Sequence, residues 1–252
     1  MNDQLQKLER DRQLLERLEH IRLGRLSPDG GNGGRHYQEA FRDYGIAIGG
    51  TEPDAAARGL RGCPQHVRTA IVAALDDWGQ LVGEPATKER EWLGQLARAL
   101  DPDPWRNRLR DALPRRDRKG LEKLAAAADA LAQPPATLLL LAEGLLRSGA
   151  NASALTLLRR AQQQHPGDFW ISFQMANLLA LDNQRSWGEA IRFYSAALAL
   201  RPQSPAVYLN MGHALRRNGA RQEAREAYRQ AIRLRPDWSA AHVAVGPATW
   251  FR

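Results

Sequence analysis

One cysteine, Cys63, stands in 252 residues, so no internal disulfide framework can hold this chain together. It lies in Gly62-Cys63-Pro64, with no His and Asn or Asp placed around it by a recognisable motif, and reads as a loop cysteine rather than a nucleophile. Strand-type alternation of β-branched residues is nearly missing, which excludes a sheet as the main element. The most apolar run, Ala136 to Ala142, is far too short to span a bilayer. The start, with Lys7, Glu9, Arg10, Asp11 and Arg12, lacks the apolar core of a signal peptide. A cytoplasmic protein without membrane partners is therefore expected. His-Glu-x-x-His, Cys-x-x-Cys and histidines paired at metal spacing are all wanting, so no metal or cofactor is expected. Asp76-Asp77 adjoin an apolar face with no partner that the sequence can place. Glycines crowd 27–35, but no strand precedes them and no Gly-Lys-Ser/Thr follows, so the segment reads as a linker rather than a phosphate cradle. Nothing positive supports an enzyme.

What the chain does have is alanine, leucine and arginine in helical patterns, and a net charge of +8. The composition predicts an all-α protein. The charge favours acidic partners without choosing among peptide, nucleic acid and membrane surface.

The second half repeats itself. Pro166, Pro202 and Pro236 are 36 and then 34 residues apart. Small residues keep the step at Ala154, Ala190 and Ala224, at Ala161, Ala197 and Ala231, and at Ala142, Ala176 and Gly212. Large ones do so at Leu158, Tyr194 and Tyr228, at Leu141, Met175 and Met211, and at Leu145, Leu179 and Leu215. With this period and this alternation, residues 135–246 resemble the tetratricopeptide repeat (TPR) family. The copies run 135–168, 169–204 and 205–238, with a partial fourth at 239–246 and a non-repeat tail at 247–252. The middle copy carries two extra residues, most simply Gln184-Arg185. The resemblance implies two antiparallel helices per copy, A then B, in a right-handed superhelix whose neighbours share a core. The small residues would sit where B crosses A. The prolines would end each helix B, lacking the N–H and clashing with the preceding turn.

The first half is helical but irregular. Residues 1–26 read as a charged helix with an apolar stripe at Leu5, Leu8, Leu15 and Leu18, broadened by Leu14 and Ile21. A short coiled-coil segment able to self-associate, a helix lying on the next domain, and the end of a longer helix all fit. Residues 36–134 form a helical region, in which Trp105 to Leu113 and Gly120 to Leu131 read as a helix pair, so that 102–134 could be a degenerate repeat capping the array. Phrases such as Ala40-Phe41-Arg42-Asp43-Tyr44-Gly45, Asp101-Pro102-Asp103-Pro104-Trp105-Arg106 and His165-Pro166-Gly167-Asp168-Phe169-Trp170 resemble the C-terminal tails of large bacterial serine/threonine protein kinases, over about residues 10–246. The kinase domain itself is missing, with no His-Arg-Asp loop and no Asp-Phe-Gly; Asp43-Tyr44-Gly45 is a coincidence in a helical context. The ending Pro247 to Arg252 breaks off the fourth helix A and points to truncation.

TPR arrays bind extended peptides along the concave face of their A helices. The resemblance places Ala136, Leu139, Glu143, Leu146 and Arg147 there, then Trp170, Phe173, Asn177, Ala180 and Leu181, then Ala206, Leu209, His213, Arg216 and Arg217. Asn177 and Asn210 match the two asparagines of relatives that clamp a peptide carboxylate, but Phe173, Ala240 and Ala244 occupy the basic positions of that clamp. The expected function is a non-catalytic scaffold binding an acidic peptide or protein with apolar anchors. A docking tail split from its kinase is the alternative. Nucleic-acid binding is a weaker third reading, supported by charge alone and lacking aromatic–basic interleaving.

Overall fold

The computed structural model describes residues 2–26, 33–82, 88–181 and 186–245. Most of the glycine-rich linker, Thr87, the extra Gln184-Arg185 and the tail from Gly246 onward lie outside the described residues. Among the described residues every regular element is a helix. None is long and apolar enough to cross a membrane. The chain divides into two compact units, 1–115 and 116–252.

The first unit holds α1 (Asn2–Gly24), α2 (Gly33–Tyr44), α3 (Pro53–Leu60), α4 (Gln65–Leu81), α5 (Lys88–Leu100) and α6 (Pro104–Ala112). Helix α1 packs on α2 and α4, and α5 on α3 and α4. Its buried stripe is Asp11, Leu14, Leu18 and Ile21. Spacings of three and four keep these on one helix face. Leu5 and Leu8, expected in the same stripe, stay about 60% exposed. Tyr37 and Phe41 stack on Trp78 at 6.1 and 6.0 Å, forming the centre of this core. On α5 Leu93 is buried, while the half-buried Trp92 beside it donates its indole N–H to the Thr51 carbonyl at 2.7 Å.

Asp76 and Asp77 do have partners. Arg110, 7% exposed, reaches Asp76 with two hydrogen bonds of 2.8 and 2.9 Å, and Asp101 with one of 2.9 Å. Asp77 accepts from the Tyr37 hydroxyl at 2.6 Å and pairs with Arg25. These partners lie 34 to 52 residues away in sequence, and only the packing of the helices brings them together.

The second unit holds α7 (Arg118–Ala126), a single 3-10 turn at Ala130–Ala132, α8 (Pro135–Arg147), α9 (Asn151–Gln164), α10 (Phe169–Leu181), α11 (Trp187–Leu200), α12 (Pro205–Arg217), α13 (Arg221–Leu234) and α14 (Ser239–Val245). Helices α8 and α9, α10 and α11, and α12 and α13 are the three A–B pairs. The two helices expected as a further pair, α6 and α7, fall in different units; α7 packs on α8 and α9. The eight alanines and one glycine of the small positions are all buried. Gly212 shows why: a Cβ there would lie 2.4 Å from the Tyr228 ring. Helix B ends two residues before each repeat proline, its last N–H groups (His165, Arg201, Arg235) bonded to Ala161, Ala197 and Ala231.

Two of the A–B turns share one device. Gly149 and Gly219 have φ of 78° and 86°. Gly149 donates to Leu146 and Ala150 to Leu145; Gly219 donates to Arg216 and Ala220 to Leu215. This is the Schellman closure of a helix end, which needs a residue in the left-handed region. Glycine enters it without the Cβ penalty.

Candidate functional site

The A helices α8, α10 and α12 pack against one another in sequence. Residues at like positions along them therefore form continuous rows. Of the expected groove residues, Leu139, Phe173 and Leu209 are buried and make its floor. Phe173, 3% exposed, stacks on Phe169 at 5.9 Å and meets the Tyr194 ring at 6.1 Å. It is thus a core aromatic rather than an open anchor. Trp170 is half-buried, edge-on to Phe169 at 5.2 Å. The Arg201 guanidinium lies over both rings, 4.6 Å from Phe169 and 5.8 Å from Trp170. Leu181, at the end of α10, is 80% exposed.

The polar row is built from behind. Asn177 Oδ1 accepts from the Tyr194 hydroxyl at 2.8 Å and from Asn210 Nδ2 at 3.1 Å. With its oxygen doubly used, Asn177 has its amide N–H groups to offer, and Asn210 its carbonyl oxygen. One copy on, His213 Nδ1 is 3.0 Å from the Tyr228 hydroxyl. Burial pushes the Tyr194 and Tyr228 phenols up, so both stay protonated. Burial, then Arg216 and Arg217, push His213 below its ordinary value. At neutral pH its ring is uncharged. In the first copy the equivalent site is plainer, with Glu143 paired to Arg147 at 2.7 Å. Arg216 and Arg217 are exposed and have no ion-pair partner among the described residues.

Tyr194, Tyr228 and Arg201 were not expected as site residues. The signal was present for the tyrosines. Leu158 becomes Tyr194 and then Tyr228 at one repeat step, just where Glu143 becomes Asn177 and then His213. A buried phenol requires a hydrogen-bond partner, and the adjoining A helix supplies it. Among the described residues no group of three or more His, Cys, Asp or Glu side chains is arranged to hold a metal.

A tetratricopeptide repeat family model matches residues 183–245. No curated protein matches the chain. Among solved structures, a human IFIT1 dimer with PPP-AAAA aligns with TM-score 0.51 and 17% identity, over 81% of this chain and 48% of that one. MamA 41-end from Desulfovibrio magneticus RS-1 aligns with TM-score 0.49 and 20% identity, over 56% and 80%. YrrB, described as a TPR protein with an unusual peptide-binding site, aligns with TM-score 0.47 and 18% identity, over 82% and 96%. The fold is all-α with a TPR-type helical-repeat array. These matches do not bear on the resemblance to kinase tails.

Proposed function

We propose that this protein is a non-catalytic interaction scaffold, and that the A-helix face of its second unit holds an extended acidic segment of a partner protein. The observation that carries this is the row Asn177, Asn210 and His213. An extended peptide leaves its backbone N–H and C=O groups unpaired, and this row faces it with held amides and a neutral imidazole. Fixing such side chains beforehand lowers the ordering cost of binding. Arg216 and Arg217 add positive charge beside the row, and Leu181 and Trp170 add apolar surface. Neutral backbone recognition, flanking cations and apolar anchors together favour an acidic peptide with apolar side chains.

The test is a pulldown from the source cell with wild type and a triple variant, Trp170→Ala, Arg216→Glu and Arg217→Glu. Partners captured by wild type should be lost by the variant. Recovery of the same partners by both would mean that this face is not where they bind. Nucleic acid as the ligand would show a steep fall of affinity with salt through counterion release, and little loss in Trp170→Ala.

A further inference from the structure

The first unit contains a cavity of about 670 Å³ bordered by α1, the end of α2 and α3. Its size is in the range of small-molecule sites, roughly 300–1,000 Å³. Asp11 lines it and is 4% exposed. One carboxylate oxygen, Oδ1, accepts from the Tyr44 hydroxyl at 2.5 Å. The other, Oδ2, is buried without a hydrogen-bond partner. Such an oxygen is costly to leave unsatisfied, and it calls for a donor. The surroundings narrow what that donor belongs to. Lys7 and Arg10 stand on the same helix at the cavity edge, both exposed. Lys7 Nζ donates to the Gly62 carbonyl and Arg10 Nη2 to the Tyr44 carbonyl, each at 2.8 Å. Each cation keeps further N–H donors for an anion. Arg10 is also held over the Tyr44 ring at 5.6 Å. The lining also includes the apolar Ile46, Ala55, Ala56 and Leu60.

We propose that this cavity binds a small zwitterion with an apolar body, the chemistry of an aliphatic amino acid or a short apolar peptide. The ammonium donates to Asp11 Oδ2, the carboxylate accepts from Arg10 and Lys7, and the aliphatic part lies on Ile46, Ala55, Ala56 and Leu60. Tyr44 is the positioning residue. Its hydroxyl fixes one Asp11 oxygen, and burial followed by the bonds to Asp11 and Cys63 pushes its pKa up, which keeps it a donor. Nothing in this assignment depends on the peptide groove of the second unit.

Cys63 provides a local readout, because it is the chain's one cysteine, lines the cavity and lies 3.3 Å from the Tyr44 hydroxyl. The experiment follows the rate at which a thiol-specific disulfide reagent modifies Cys63 in the full chain. Leucine and leucyl-leucine are the probes; 3-methylbutylamine and 4-methylpentanoate are the controls bearing a single charge. Leucine or the dipeptide should slow modification saturably, with half-protection at a concentration at least tenfold below that of either control. The better of the two probes distinguishes a free amino acid from a peptide end. Asp11→Asn should abolish the protection. If that variant does not fold, Arg10→Gln, at an exposed position, replaces it: it should weaken protection by the zwitterions and leave the effect of the amine unchanged. Absence of protection by both zwitterions would mean a cavity that holds water alone, and would overturn the proposal. Equal protection in wild type and in the variant tested would overturn it as well.

Discussion

His213 carries a pH dependence whose sign follows from its surroundings. Burial and the two neighbouring arginines lower its folded-state pKa below the ordinary value, which the unfolded chain regains. The folded protein therefore takes up this proton less readily than the unfolded one. Stability from this group is complete above the unfolded pKa and is lost as pH falls through the folded one. Urea titrations between pH 7.5 and 5 should show wild type losing more stability than His213→Gln, and parallel curves would refute the assignment. Gly212 is constrained on the same helix. A methyl group at this position meets Tyr228 Cε1 at 2.4 Å and Cδ1 at 2.6 Å. The ring must move, and its contact with His213 moves with it. Gly212→Ala should cost about 1–3 kcal/mol, as overpacking does, despite the better helix propensity of alanine. Chemical denaturation reads this directly.

At the scale of the element, the turns separate glycines that are needed from those that are not. Gly219 closes α12 at φ 86°, whereas Gly167, after Pro166, has ordinary φ and open space around its Cα. Gly219→Ala should destabilise by about 1–2 kcal/mol, the cost of a left-handed L-residue. Gly167→Ala should be neutral or slightly stabilising, since it restricts the unfolded chain. Equal melting-temperature changes in the two would contradict this account of the turn. In the first unit the corresponding element feature is an ion network rather than a turn. Arg110 removed to Met leaves the part-buried Asp76 without its cation beside Asp101, which keeps Arg106, at a cost of roughly 3–5 kcal/mol at neutral pH. Burial already pushes Asp76 up, opposed chiefly by its bonds to Arg110. Without the arginine that pKa rises further, so the folded variant holds the proton more tightly than the unfolded one. Its stability then falls as pH rises, and the cost of Arg110→Met should be smaller near pH 4.5 than at pH 7.5. A cost independent of pH would mean that the carboxylates relax into solvent.

For the whole molecule, the proposed peptide face lies in the second unit and the proposed small-molecule cavity in the first. On the peptide face, exposed charge and apolar contact should act on different rates. Arg216→Glu with Arg217→Glu should slow association and flatten its salt dependence, because rim charges steer encounter and are screened over about 8 Å at physiological ionic strength. Trp170→Ala should mainly speed dissociation. Stopped-flow binding with a captured acidic peptide distinguishes the two effects, and the same change in both rates for both variants would argue against this division.

The repeat was legible because its constraints are local and periodic. Alanine or glycine at each crossing, a large residue opposite, and proline after each helix B recur at one step, and the structure buries all of the small residues and all of the large ones but Met211, which is half-buried. Helix α1 was legible as a helix but not in its orientation, since the stripe that is buried contains Asp11 and omits Leu5 and Leu8. An aspartate on a packed face makes sense only when Tyr44, 33 residues away, donates to it. The same holds for Asp76 with Arg110 and for Asn177 with Tyr194. Sequence by itself determined which segments are helices, how the array repeats, and which small residues let helices approach, because these follow from neighbours three, four and about thirty-four positions apart. Tertiary structure alone decided which polar side chains are buried, which face is open and where the cavity lies, because a hydrogen bond across helices depends on distances that no spacing along the chain encodes.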